Sequence, residues 1–170
     1  MELELWIVLR LVIAAALSGL IGYERERTRK QAGLRTHMLV AVGAALFVSF
    51  TELFTISAMA LAPPGPPGNL RVQIEPLATV QAIVTGISFL GAGTIFVSGR
   101  GNRVKGLTTA ASIWVTAAVG IAVGLERYVL AVGSTTLILT ILHLLKRFEV
   151  APPLIQEADD ESEGGGEERL

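Results

Sequence analysis

The hydrophobic positions of this chain fall in five long blocks, separated by short polar or Pro/Gly-rich segments. The blocks run from Leu3 to Gly22, Thr36 to Leu61, Pro76 to Val97, Leu107 to Leu125, and from the Glu126-Arg127-Tyr128 turn to about Leu145. Blocks of about 20 apolar residues are long enough to cross a bilayer as helices at roughly 1.5 Å per residue. Pro63-Pro-Gly-Pro-Pro-Gly68 closes the second block and predicts an exposed connector, because proline fixes an extended path and lacks a donor. Pro76 suits the first turn of the third helix. Tyr23 to Gln31 is too polar for lipid and predicts a short interfacial helix or loop. The turn between the last two blocks is short. A full crossing by both and a re-entrant pair are both open.

Small residues stand at helical spacing inside the blocks. Ala82, Gly86 and Gly93 share one face of the third, and Thr109, Thr116 and Gly120 share one face of the fourth, each within about 40°. Gly120 and Gly124, Ala15 and Gly19, and Ser18 and Gly22 are small-xxx-small pairs. Such residues let membrane helices approach closely, which supplies the association that lipid does not. An alternative is that Gly91, Gly93, Thr108 and Thr109 face a polar cavity, where carbonyls and hydroxyls would bind a cation or a water chain.

Composition agrees with the pattern. Of 170 residues, 51% are hydrophobic, and the mean hydropathy is +0.58. The first block is not read as a signal peptide, since Glu2 and Glu4 precede it and the Arg-rich stretch follows it. With no cysteine there is no disulfide framework, thiolate metal site or cysteine nucleophile. Segments after the first, third and fifth blocks, the acidic tail aside, carry ten Lys and Arg. Those after the second and fourth carry only Arg71 and Arg127. The bias predicts an all-α bundle of about five transmembrane helices with the N-terminus outside and the C-terminus cytoplasmic. Residues 1–148 form the transmembrane domain. Residues 149–170, acidic and Gly-rich, are expected to be a disordered cytoplasmic tail.

Few residues suggest chemistry. Arg10 and Glu52 are charges well inside blocks, roughly 10 and 14 Å from the outer ends of neighbouring antiparallel helices. Pairing is one resolution, because an unpaired charge at that depth is costly. The other is that Arg10 snorkels outward and Glu52 is protonated or lines a cavity. His37 and His143 lie near helix ends and read as interfacial rather than as metal ligands. Glu24-Arg25-Glu26-Arg27 is either a solvated stop-transfer segment or a structural ion-pair site. In the second case Arg25 or Arg35 bonds helix-end carbonyls or anionic head groups. Thr36 is a candidate cap for the second helix, and Thr108 and Thr109 for the fourth. Gly86, Gly91 and Gly93 lack a following Lys-Ser/Thr and lie in an apolar span, so no phosphate loop is expected. No nucleophile–base pair is visible, and no enzymatic activity is expected.

Four ordered stretches resemble one family: Gly19-Leu-Ile-Gly-Tyr-Glu-Arg-Glu26, Ala32-Gly-Leu-Arg-Thr-His-Met-Leu-Val40, Gly86-Ile-Ser-Phe-Leu-Gly-Ala-Gly-Thr-Ile95 and Gly106-Leu-Thr-Thr-Ala-Ala-Ser-Ile-Trp114. They look like the signature of the MgtC/SapB family. The resemblance implies a multi-pass bacterial inner-membrane protein tied to growth at low magnesium. It implies a non-enzymatic factor acting on other membrane proteins in magnesium and membrane-energy homeostasis. The alternative is a direct Mg2+ or other cation transporter working as a homo-oligomer. No resident cofactor is implied, an association with Mg2+ is unproven, and no nucleic-acid partner is expected. Two departures stand out. Family members linked to virulence carry a folded cytoplasmic domain after the last helix, where this chain has an acidic tail, and they carry Asn at the position of Thr108. This chain is therefore expected to be a minimal, membrane-domain-only member.

Overall fold

The computed structural model describes residues 2–61, 76–98 and 103–144. Five helices and one small hairpin follow in the order α1 (Glu2–Arg27), α2 (Leu34–Leu61), α3 (Pro76–Ala92), β1 (Phe96–Ser98), β2 (Arg103–Lys105), α4 (Leu107–Gly124) and α5 (Tyr128–Leu144). The class is all-α, as the hydrophobic blocks predict. By length and composition α1, α2 and α4 are long and apolar enough to cross a membrane. At 17 residues each, α3 and α5 sit at the short end of what spans a hydrocarbon core of ~30 Å. The connector at Pro63–Gly68 and the acidic tail lie outside the described residues.

The core is built from α1, α2 and α4, with α5 laid against α1 and α4, and α3 against α4 and α2. Its centre is small and apolar: Ala14, Ile21, Ala41, Ala45, Val119, Ala122, Val123 and Ala131. The outward faces are apolar too, with Phe89 84% and Val129 90% exposed. Side chains of this size in open contact with the surroundings suit lipid rather than water.

Several elements differ from expectation. The polar stretch after Gly22 does not break the first helix, because α1 continues to Arg27 and stops there by a double hydrogen bond. Lys30 N–H donates to Arg25 O (3.0 Å) and Arg29 N–H to Glu26 O (2.9 Å), with Arg29 in the left-handed region at φ 53°. This is the Schellman termination. α4 ends the same way. Arg127 N–H donates to Ala122 O and Glu126 N–H to Val123 O, with Glu126 at φ 60°. The third helix stops at Ala92 rather than Val97. After a turn at Gly93 and Thr94, the chain enters a strand at Phe96, pairing antiparallel with β2 in the register Phe96↔Lys105, Val97↔Val104 and Ser98↔Arg103. Part of the polar segment before α4 is therefore paired, as β2. It hands over to α4 at Gly106, whose φ of 91° and contact with Thr94 O leave no room for a side chain.

Glycine sets the helix spacing. A Cβ on Gly120 would lie 2.8 Å from Ala41 Cα, and one on Gly124 2.8 Å from Val48 Cβ, so α4 rests directly on the backbone of α2. A Cβ on Gly22 would lie 2.7 Å from Leu34 Cα, which brings the end of α1 against the start of α2. The face of Ala82, Gly86 and Gly93 behaves differently. Gly86 meets nothing within 4 Å, and Gly93 belongs to the turn after α3.

Candidate functional site

Helix direction puts the C-terminal end of α1 and the N-terminal ends of α2 and α4 at one end of the bundle. The start of α1, the end of α2 and the α4–α5 turn lie at the other. The two ends carry different polar clusters, and the apolar layer of Ala14, Ala41, Ala45, Val119 and Val123 separates them.

Arg10 organises the α4–α5 end. Its guanidinium is 5% exposed, and Nη1 donates to Glu52 Oε2 at 2.5 Å. Nη2 donates to an oxygen of Glu126, a partner absent from the sequence reading. Arg10 therefore does not snorkel to the surface but is clamped between two carboxylates. The cluster carries one net negative charge. A cavity of about 380 Å³ opens beside it, lined by Glu52, Glu126, Thr51, Thr55, Thr79 and apolar neighbours. Thr51 Oγ1 and Thr79 Oγ1 share a hydrogen bond of 2.7 Å there, tying α2 to α3.

The opposite end is basic. Arg25 is buried, and its Nε donates to Glu24 Oε2 at 2.6 Å. Its Nη1 is buried without a hydrogen-bond partner. His37, in the first turn of α2, lies inside the protein rather than on its surface. It is fully buried, with Nδ1 2.9 Å from Gly33 O and Nε2 3.2 Å from Ser112 Oγ. A carbonyl only accepts, so Nδ1 carries a proton. Ser112 also lies 2.8 Å from Thr109 O, so its single hydroxyl proton serves either that carbonyl or His37. His143 is exposed at the end of α5. Among the described residues no three of His, Asp and Glu come together as a metal-binding group.

The remaining candidates divide. The predicted caps are not used. α2 starts two residues before Thr36, and its Leu34 N–H is taken by Glu26 Oε2 at 2.9 Å. α4 is capped at Gly106 without a side-chain hydrogen bond, so Thr108 and Thr109 do not cap it. Thr109 is buried, Thr108 exposed. Gly91 is buried against Ala110, its Cβ position 3.6 Å from Ala110 Cβ, while Gly93 is exposed. None of these four residues lines either of the two cavities between the helices. Arg35 is exposed in the first turn of α2. The sequence reading names Glu26 only as part of the charged stretch after the first block, and it does not name Glu126 or Ser112 as site residues. Glu126 lies in a turn and Ser112 amid small residues, where spacing carries no signal, although an acidic residue in a tight turn opposite a buried arginine is a pairing signal once the helices are placed.

A second, apolar cavity of about 950 Å³ lies between α2 and α3, lined by Leu39, Gly43, Phe47, Phe50, Phe54, Gly86 and neighbours.

The MgtC family model matches residues 11–151, which is most of the chain. The chain belongs to the MgtC family. It is 40% identical over 141 residues to YhiD of Escherichia coli K12, whose name carries a provisional assignment to magnesium transport. That match covers 81% of this chain and 61% of YhiD. It is 40% identical over 139 residues to MgtC of Salmonella typhimurium, covering 82% of this chain and 52% of that protein. It is 41% identical over 143 residues to MgtC of Brucella abortus, covering 84% and 50%. The chain thus spans about half to three-fifths of the length of the curated relatives it matches. No solved structure matches it. With its apolar helices, this MgtC-family chain is a membrane protein.

Proposed function

We propose that this MgtC-family chain is a non-enzymatic membrane factor in magnesium and membrane-energy homeostasis, acting on other membrane proteins. The observation that carries this reading is the α2–α3 groove. Its glycines Gly43 and Gly86 have nothing within 4 Å of a Cβ position. The groove is apolar, flanked by Phe47, Phe50 and Phe54, and large enough for side chains of a partner helix. Uncovered glycine in lipid lets another helix approach closely. The relatives' names support the link to magnesium, and their family supports a bacterial inner-membrane location. The small, close-packed centre of α1, α2 and α4 also favours a factor over a pore through one protomer.

The second reading, a direct cation transporter working as an oligomer, is favoured by the hydroxyl- and carboxylate-lined cavity beside Glu52 and Glu126. Magnesium flux into liposomes holding the purified protein separates the two. Empty liposomes and a Glu52→Ala variant serve as controls. The factor reading expects flux no greater than empty liposomes from correctly inserted protein. Flux that Glu52→Ala abolishes overturns it.

A further inference from the structure

We propose that the basic end of the bundle holds a binding site for a phosphate group, with the Arg25 guanidinium as its principal donor. The inference stands apart from whether the protein moves an ion.

Arg25 is drawn inside by its place on α1. Gly22, three residues earlier on the same face, presses against Leu34 and His37 at the start of α2. That close approach packs the end of α1 against the start of α2, and Arg25 there is 3% exposed. A buried arginine normally satisfies several of its five donors. Here one carboxylate, Glu24, is bonded, and only through Nε. Nη1 is buried and unbonded. Among the described residues the only ion pair of Arg25 is with Glu24, and Glu26 Oε2 accepts instead from the Leu34 amide.

The surroundings select the charge of the ligand. Two helices, 28 and 18 residues long, begin at this end. Their amino-terminal dipoles favour an anion. α4 begins at Gly106, which has no side chain with which to cap its free amides. Arg27, Arg29, Lys30, Arg35 and Lys105 belong to the same end, against Glu24 and Glu26. A buried, planar guanidinium with an unbonded Nη1, at the end of the bundle where two helices begin, matches phosphate oxygens, which accept several hydrogen bonds at once. The phosphate belongs either to an anionic phospholipid head group or to a soluble phosphate, and both present the same oxygens.

The test uses the full chain. Binding is measured in nanodiscs by titrating phosphatidylglycerol against phosphatidylcholine, and in detergent by titrating inorganic phosphate. Saturable binding of either probe, weakened at least tenfold by Arg25→Gln and less by Arg25→Lys, is the expected result. The probe that binds identifies the source. Lys105→Gln reports the diffuse charge of this end and should change binding less than threefold. Glu24→Gln removes the competing carboxylate and should tighten binding, so the proposal stays open to test if Arg25→Gln fails to fold. No saturable binding of either probe overturns it. So does equal weakening by Lys105→Gln and Arg25→Gln, or unchanged or weaker binding by Glu24→Gln.

Discussion

Arg10 shows what a single residue does in this bundle. A guanidinium buried at 5% exposure needs an anion, and it has two, one from α2 and one from the α4–α5 turn. Each carboxylate is partly exposed, so each can be replaced while the other keeps Arg10 paired. Glu52→Gln and Glu126→Gln are therefore each expected to destabilise the protein by about 1 kcal/mol or less. The double substitution leaves a buried unpaired charge and should cost roughly 3 kcal/mol or more, well above the sum. Denaturant unfolding of the purified variants in detergent checks this, and additive losses would show that the two carboxylates act independently. Arg10 and Glu52 were legible in the sequence because they interrupt apolar blocks. Glu126 was not, since a charged residue in a tight turn looks like any solvated turn. Its left-handed backbone, unusual for a side chain with a Cβ, goes with the Schellman end of α4. His37 is the opposite case: its burial could not be read from its place in the chain. Position along the chain put it at a helix end, but α4 covers that end through Ser112.

At the scale of the helix, the same residue type has opposite roles on different faces. Gly120 touches the Ala41 backbone and Gly124 touches Val48, so any side chain there pushes α4 off α2. Gly120→Ala should cost about 2 kcal/mol or more, as overpacking of a rigid contact does. Gly43 and Gly86 face open space. Gly43→Ala and Gly86→Ala should leave folding unchanged or raise stability by up to about 1 kcal/mol, because alanine is the better helix former. Under the factor reading, Gly86→Leu should still fold yet lose capture of the partner membrane protein. Thermal melts rank the alanine variants, and a Gly86→Ala loss as large as that of Gly120→Ala would contradict the open groove. Sequence spacing alone placed Gly86, Gly120 and Gly124 on helix faces. It could not say which face meets a neighbour, because that depends on how the helices are arranged around α4. The hairpin was hidden for a related reason. Two strands of three residues are too short to show an alternating pattern, and their pairing follows from where α3 stops.

At the scale of the whole molecule, the two ends are chemically unlike, and this fixes an expected orientation. Arg25, Arg27, Arg29, Lys30, Arg35 and Lys105 gather at one end, while the other holds the Arg10 cluster with its net negative charge. Positive charge next to membrane helices is retained on the cytoplasmic side. The turn between α1 and α2 and the β2 strand should therefore face the cytoplasm, and the α4–α5 turn should face outward. The chain has no cysteine, so single introduced thiols report position without background. Arg127→Cys, exposed in the α4–α5 turn, should react with a membrane-impermeant maleimide added to cells with a permeabilised outer envelope. Lys105→Cys, exposed on β2, should react only after the inner membrane is opened. The reverse pattern would invert the bundle and move the Arg25 site to the outer face, where no excess of anionic cytoplasmic phosphates or cytoplasmic-leaflet head groups would meet it. Reaction of both thiols from outside would mean that α4 does not cross, leaving α4 and α5 as a re-entrant pair. That outcome conflicts with the packing of α4, which touches α1 and α2 along its length from Ser112 near the basic end to Gly124 near the Arg10 cluster. A helix in contact with two spanning helices from one polar end to the other crosses whatever they cross.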